Sequence, residues 1–403
     1  MQVALYHSDP QRTRKNEDYS KGVQILKMHH LTIVPELDTT LGASYYDKLS
    51  QANRIGQSTR NEYRLPRTVM SKEVRILRIN PTLAIPGGEV TIDCEGFDTS
   101  DPTLCAIWFE EERAPIVALS PRRVLAIVPE MKHSGPADVR IESRGVRSEA
   151  APVVVAKRLA EDLHPVANPA YDPDDGSLFV TRSGSRGEQL PVTLFRIDLE
   201  GEITEFSGDI TNPTGIAFDS TGQMFVSSRM DGNVYRITPF KEAVPFATNL
   251  GVATGIAFDS SDTMYVGDRT GTIYKVNGIG EETAWAQLEA SVSAYHLAVG
   301  PGDILYVTGP TVASFDSVMR IDADGEVKVF YKGLGRPQGL ALDRAGNLYV
   351  AASLRGRRGI VRISPDAQDA EMFMAGMNLV GLAFSSTGDL AVASTDSIYS
   401  LEL

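Results

Sequence analysis

The feature that most constrains the fold is a short phrase that returns about every forty residues. The phrase reads GIAFD in two places and has close variants elsewhere. Its six copies begin at Asn168, Gly215, Gly255, His296, Gly339 and Gly381. The intervals between them are 47, 40, 41, 43 and 42 residues. A period of this length is typical of chains that stack copies of one small structural unit.

Each copy contains the same order of segments. An apolar strand is followed by a polar turn such as DSTGQ, a second strand such as MFVSS, and two further strands separated by loops. Four short strands in this span are typical of a β-propeller blade. Helical repeats would need longer stretches with a period near 3.6 residues, and the repeats lack them. The sequence therefore predicts a six-bladed β-propeller over residues 152–403.

The last copy supplies only three strands before the chain ends at Leu403. The missing strand has a counterpart upstream of the first copy, in PVVVAKRLA at 152–160. We expect strand 152–160 to complete the last blade and close the ring. Closure removes the open sheet edges through which β-proteins aggregate.

A different pattern precedes the propeller. Residues 71–151 alternate apolar and polar positions, with turns marked by proline and glycine, and about seven short strands fit into this span. The pattern predicts a β-sandwich. The segments INP, IPGGEVTIDCEGF and GPADVRI resemble an immunoglobulin-like TIG (IPT) domain. That resemblance implies a spacer or a binding module without catalytic groups. The whole chain is therefore predicted to be all-β.

The remaining segment, 1–70, is polar and has no sustained apolar period, so we expect a poorly ordered extension or a segment that is not native. The chain carries a net charge of −13, which argues against nucleic acid as a partner. No apolar run is long enough to span a membrane. A signal peptide is not evident, so we expect a soluble, bacterial-type cytoplasmic protein, or an exported one if the true start differs.

The two cysteines, Cys94 and Cys105, both fall in the predicted sandwich. They could pair across adjacent strands or remain as two buried free thiols, and the sequence leaves both alternatives open. A secreted domain stabilised by several disulfide bonds would contain more cysteine. The absence of a CxxC or Cys/His cluster argues against a zinc site.

The blade phrases PTGIAFDSTGQMFV and PQGLALDRAGNLYV resemble those of NHL-repeat and gluconolactonase-like (senescence-marker-type) propellers. The gluconolactonase resemblance implies Ca²⁺ or a similar cation, held by Glu, Asn and Asp oxygens, that polarises a lactone. Asp268 occupies the aspartate position and is the one metal-ligand candidate here. The asparagine positions are filled instead by Thr214, Thr254, Tyr295, Gln338 and Val380. A metal-dependent lactonase with a degenerate site is therefore the alternative function.

The NHL resemblance implies a binding platform at the mouth of the channel, and this is the predicted function. The ligand-binding candidates are Arg182, Arg229, Arg269, Tyr295 and Gln338. Guanidinium groups bind carboxylates and phosphates through paired hydrogen bonds, so the expected partner is a protein or a small anionic or sugar-like ligand.

Two residues are catalytic candidates if the protein is an enzyme. His296 replaces a glycine of the repeated phrase and could act as a general base, with Asp268 as the second candidate. Packing in the core is the alternative role for His296. The basic segment SLRGRRG at 353–359 is predicted to be a solvated hairpin tip. The oligomeric state is left open.

Overall fold

The fold is that of a computed structural model, which describes residues 73–185, 188–313 and 315–403. The predicted N-terminal extension lies outside these ranges. The described chain consists of β-strands and two short 3₁₀ helices, Pro102–Leu104 and Pro301–Asp303. The prediction of an all-β protein is confirmed. None of the described helices has the length and apolar character needed to cross a membrane.

Six groups of four antiparallel strands, numbered here as blades 1 to 6, follow one another around a ring. Blade 1 contains Ala170–Tyr171, Leu178–Thr181, Leu194–Ile197 and Ile203–Ser207. Blade 2 contains Pro213–Phe218, Met224–Ser228, Asn233–Ile237 and Ala243–Ala247. Blade 3 contains Ala253–Phe258, Met264–Asp268, Thr272–Val276 and Glu282–Gln287. Blade 4 contains His296–Gly300, Ile304–Thr308, Asp316–Ile321 and Val327–Leu334. Blade 5 contains Leu340–Leu342, Leu348–Leu354, Arg357–Ile363 and Ala370–Ala375.

Blade 6 closes the ring by joining two distant parts of the chain. Its first three strands are Leu379–Phe384, Leu390–Ser394 and Ile398–Leu401, and its fourth is Lys157–Ala160. The register pairs Lys157 with Ser400. The strand predicted over 152–160 is in fact two strands, because Ala151–Val155 belongs to the sandwich. The change of module therefore falls between residues 155 and 157.

The aspartate of the repeated phrase holds the turn that follows it. Asp219 Oδ1 accepts hydrogen bonds from the backbone N–H groups of Thr221 (2.9 Å) and Gln223 (3.0 Å). Asp259 accepts the equivalent pair in blade 3. A carboxylate that satisfies two backbone donors fixes a tight turn between the first two strands. The repetition of this residue is therefore structural.

The glycine of the phrase lets neighbouring first strands approach each other near the axis. A Cβ atom on Gly215 would lie 2.6 Å from the Thr254 carbonyl oxygen, and one on Gly255 would lie 2.7 Å from the Tyr295 carbonyl oxygen. Real Cβ atoms do not approach backbone this closely. Close packing of the blades thus requires a residue without a side chain at these positions.

The segment before the propeller forms an immunoglobulin-like β-sandwich of two sheets. One sheet contains Arg75–Asn80, Glu89–Glu95, Arg123–Ile127 and Ile116–Ser120. The other contains Leu83–Ala84, Ala151–Val155, Gly135–Ser143, Cys105–Phe109 and Glu112–Arg113, with Val146–Arg147 paired beside it. Cys94 and Cys105 are free and buried, so the free-thiol alternative describes this domain.

The sandwich and the propeller share one continuous sheet. Leu83–Ala84 pairs in parallel with Ala370–Ala375, the outer strand of blade 5. The Arg357 guanidinium forms a salt bridge with Glu89, and the Arg158 guanidinium forms another with Glu130 at 2.6 Å. The sequence did not predict a sheet shared between the sandwich and blade 5.

The close approach of the blades yields a test. We expect Gly255→Ala to destabilise the protein by about 1–3 kcal/mol, because the added methyl group would overlap the backbone of blade 4. Gly278→Ala is the matched control, since this exposed turn glycine has open space around the position of a Cβ atom. Urea unfolding measures both free energies. Equal stability of the two variants would contradict the packing argument.

Candidate functional site

A cavity of about 1350 Å³ lies on the propeller axis, at the end of the ring where the second strands of the blades finish. Blades 1, 2, 3, 5 and 6 and the connection before blade 4 contribute residues to its wall. Arg182, Arg229 and Arg269 follow the second strands of blades 1, 2 and 3 directly. Their common placement explains why three arginines separated by some forty residues meet in one cavity.

The structure separates the sequence-predicted site residues into two groups. Four of them line the cavity: Arg182, Arg229, Arg269 and Gln338. Three are buried between blades and do not line it: Asp268, Tyr295 and His296. A position in the cavity wall does not by itself test binding, so the binding roles of the first four residues remain predictions.

Alignment of the blades did not identify two further arginines that line the cavity. Arg336 lies in the connection before the first strand of blade 5, and Arg358 lies on the third strand of that blade. The segment 353–359 turns at Arg355 and Gly356, whereas Arg358 is already part of the strand. Successive side chains of a strand point to opposite faces, so Arg357 reaches the sandwich while its neighbour reaches the cavity.

The charge of the lining is strongly unbalanced. Five arginines face the cavity, and Glu188 is the one acidic residue of the wall among the residues that the structure describes. None of the five arginines forms a salt bridge within the described ranges, whereas ten arginines elsewhere do. Burial and the nearby charge of Arg269 lower the pKa of Arg229. The wall therefore concentrates positive charge that no salt bridge among the described residues neutralises.

A buried hydroxyl group accompanies the arginines. Thr214 lines the cavity beside blade 2, and its side chain is only 1% exposed. Its Oγ1 atom has no hydrogen-bond partner among the described residues. Buried hydroxyl groups are usually paired, since an unpaired one loses its hydration without compensation. Thr214 thus carries a buried hydroxyl group that is unpaired among the described residues.

Asp268 is engaged by its own chain. One carboxylate oxygen accepts the backbone N–H of Val252 at 2.8 Å and that of Thr270 at 3.2 Å. The other oxygen accepts the Thr270 hydroxyl group. These bonds fix the loops on both sides of Arg269, which places Asp268 in a positioning role.

The lining does not fit a calcium site. Calcium is bound by six to eight oxygen ligands that include several carboxylates. Here the carboxylate predicted as a ligand, Asp268, is buried away from the cavity with both oxygens in hydrogen bonds. The residues that do line the cavity carry mostly positive charge, which repels a divalent cation.

His296 is enclosed in the first strand of blade 4. It is 2% exposed, and its Nε2 atom lacks a hydrogen-bond partner within the described ranges. Burial lowers the pKa of His296 to about 4, while a contact with Gln338 opposes this change. The imidazole is therefore neutral near pH 7. Its proposed role as a general base remains a prediction.

Tyr295 packs between blades. A Cβ atom on Gly309 would lie 2.7 Å from its ring, and one on Gly267 would lie 2.9 Å from its own Cβ atom. Burial raises the pKa of Tyr295 above its ordinary value, and the charges of Glu289 and Asp268 act in the same direction. The ring is therefore packed against the backbone of blades 3 and 4.

Comparisons with known proteins identify the fold. No protein-family model and no curated protein matches the chain. A gluconolactonase from Xanthomonas campestris is 13% identical over 60% of this chain and 88% of its own, with a TM-score of 0.50. Another gluconolactonase-type structure is 17% identical over 61% of this chain and 91% of its own, with a TM-score of 0.51. An auxiliary nutrient binding protein from Bacteroides thetaiotaomicron is 14% identical over 82% and 98%, with a TM-score of 0.48. Likeness at these identities concerns the fold and does not extend to activity.

The bonds of Asp268 generate a prediction about metal. We expect Asp268→Ala to destabilise the protein by roughly 1–3 kcal/mol, because buried N–H groups lose their acceptor. The loss should be the same in chelator and in millimolar Ca²⁺, as measured by thermal unfolding. Asp209→Ala, which removes an exposed carboxylate from the same propeller, is the control. A stabilisation by Ca²⁺ that disappears in Asp268→Ala would instead identify a metal ligand.

The burial of His296 predicts a pH dependence. The unfolded chain takes up a proton on this residue near pH 6.5, whereas the folded protein does so only near pH 4. Stability should therefore fall as the pH falls between these values, by about 3 kcal/mol from this group at pH 4. Urea unfolding of His296→Gln measures the effect, since the variant should lose less stability over that interval than the wild-type protein. Parallel pH profiles would show that His296 is not responsible.

Proposed function

We propose that the propeller binds a small anionic ligand in the axial cavity. The observation that supports this is the gathering of five arginines around one cavity without salt-bridge partners among the described residues. The fold is consistent with such a role, because propellers place variable loops around a central channel. This proposal makes the predicted binding platform more specific.

The energetics of the wall favour an anion. Arg229 is half-buried beside Arg269, and their mutual repulsion opposes the charged state. A bound carboxylate or phosphate would relieve that repulsion and accept paired hydrogen bonds from the planar guanidinium groups. The chain as a whole carries a charge of −13, so the positive cavity contrasts with its surroundings and would select anions from solution.

The size and shape of the cavity favour a small molecule over a protein surface. Sites for small molecules are concave and typically occupy about 300–1000 Å³. The axial cavity, at about 1350 Å³, can hold such a ligand together with ordered water. The mixed lining of arginine, threonine and apolar residues suits a ligand with charged groups and an uncharged body.

The lactonase alternative is supported by the fold that the chain shares with gluconolactonases, but the residues of the cavity do not favour it. A hydrolase of that type activates water with a metal or a base. Asp268 is held in hydrogen bonds with its own chain, and His296 is buried away from the cavity. Hydrolysis of gluconolactone by the purified protein, dependent on Ca²⁺, would reverse this preference.

Anion binding is tested by removing the central arginines. We expect the wild-type protein to bind inorganic phosphate and citrate, measured by calorimetry at constant ionic strength, and glucose to bind no better than to an unrelated protein. Arg229→Ala combined with Arg269→Ala should weaken binding by about 100-fold or more, because each of the two lost charged hydrogen bonds is worth roughly 1.5–3 kcal/mol.

The control for this experiment is Arg122→Ala. It removes one positive charge from an exposed position of the sandwich, outside the cavity. Affinity should remain within about twofold of wild type. The proposal fails if neither anion binds, or if Arg122→Ala weakens binding as much as the cavity variant does.

A further inference from the structure

The arginines of the cavity form two groups on opposite walls. Arg182, Arg229 and Arg269 belong to blades 1, 2 and 3 and constitute the first wall. Arg336 and Arg358 belong to blade 5 and constitute the second wall. In a ring of six, blade 5 lies across the axis from blade 2. The walls between them, from blades 4 and 6, contribute uncharged residues such as Ala294, Val380 and Thr395.

The second wall is held together by backbone pairing. Gly335, which precedes Arg336, exchanges two hydrogen bonds with Ser353, at 2.8 and 2.9 Å. Ser353 in turn is the register partner of Arg358. The two arginines thus reach the cavity from adjacent backbone, although they are 22 residues apart in the chain.

Arg336 has a backbone conformation that asparagine adopts at the equivalent position in two other blades. Its φ is +47°, in the left-handed region that side chains other than asparagine and glycine adopt at a cost. The corresponding connections into blades 2 and 6 have asparagine in the same conformation, Asn212 at +49° and Asn378 at +56°. Arg336 replaces the tolerant residue and forms no salt bridge with another described residue. Arg336 therefore adds a positive charge to the cavity at a position where two other blades have an uncharged residue.

The first wall provides its own set of donors. Arg229 and Arg269 lie close enough for the charge of one to lower the pKa of the other. Thr214, on the first strand of blade 2, also lines the cavity, and its Oγ1 atom has no hydrogen-bond partner among the described residues. Glu188, the one acidic group of the wall in the described chain, belongs to this side and accepts a hydrogen bond from the Ser185 backbone at 2.8 Å. Each wall therefore has uncompensated positive charge.

We infer that the ligand carries two anionic groups at opposite ends of an uncharged body, and that each wall binds one of them. This inference rests on the proposed function and specifies its ligand class as a small dianion, either a dicarboxylate or a bisphosphate. A single anion would neutralise one wall and leave the other charged. A dianion of the right length satisfies both walls, and the uncharged sides of the cavity accommodate its middle.

The test compares dianions with matched monoanions. The probes are linear alkane dicarboxylates and alkane bisphosphonates with two to eight carbons between the acid groups, and for each the analogue that lacks one acid group. Calorimetry is carried out at constant ionic strength with the full chain. We expect affinity to peak at one chain length, where the dianion binds at least tenfold more tightly than its monoanionic analogue.

Arg336→Asn removes one positive charge from the second wall and is expected to preserve the fold. The variant should reduce the affinity of the best dianion to that of its monoanion, while the affinity of the monoanion changes less than twofold. Its melting temperature should not fall, because asparagine tolerates the left-handed backbone. Arg355→Asn is the matched control, since Arg355 has a φ of +51° in the same blade but does not line the cavity. It should leave both affinities unchanged.

The outcomes distinguish this inference from the proposed function. If monoanions bind at the cavity arginines as tightly as dianions of every length, the two-ended ligand is wrong and anion binding stands. The same holds if Arg336→Asn and Arg355→Asn behave alike toward the best dianion. If no probe binds and the cavity variants change nothing, both proposals are wrong.

Discussion

The pairing of Lys157–Ala160 with Ile398–Leu401 is the contact on which the rest of the molecule depends. It joins the start of the propeller to its end within one blade, and so converts six consecutive sheets into a ring. The axial cavity exists only because the ring is complete, since its wall draws residues from the whole circumference of the ring. The same pairing fixes the sandwich against the propeller, because the strand of the sandwich that precedes it ends only two residues earlier.

Comparison of the blades distinguishes positions that maintain the fold from positions that form the candidate site. The glycine and aspartate of the phrase recur because they allow close backbone contact and hold the first turn. The candidate site is built from positions where the blades differ. Residue 336 is arginine, whereas two other blades have asparagine at the equivalent position. The residues that directly follow the second strands also differ between blades, and include both arginine and threonine. A scaffold of repeated units can thus vary its cavity without disturbing its core.

The sequence predicted the propeller because its period and its missing strand are properties of the whole chain that do not depend on any single contact. It identified Arg182, Arg229 and Arg269 because these occupy nearly equivalent positions in consecutive copies. Arg336 and Arg358 were missed because they reach the cavity from a connection and from a third strand, so no shared position links them to the other three.

Other site residues could not be placed from the sequence because side-chain size and local bonding decide their orientation. Tyr295 aligns with Thr214 and Thr254, yet its ring fits into the space beside two glycines and not into the cavity. Asp268 aligns with a position that binds metal in gluconolactonase-like propellers, but neighbouring N–H and hydroxyl groups occupy its oxygens. The two-residue strand Leu83–Ala84 is too short to leave a periodic signal.

That short strand nevertheless makes the two modules inseparable. It covers the outer edge of blade 5, where Met374 and Ala375 are completely buried, and Ala375 belongs to the hydrophobic core of the sandwich. A propeller excised from this chain would expose an apolar, unpaired strand edge, and an excised sandwich would lack part of its interior. The sandwich is thus not an interchangeable spacer. Another domain could replace it beside the propeller only if that domain supplied an equivalent strand.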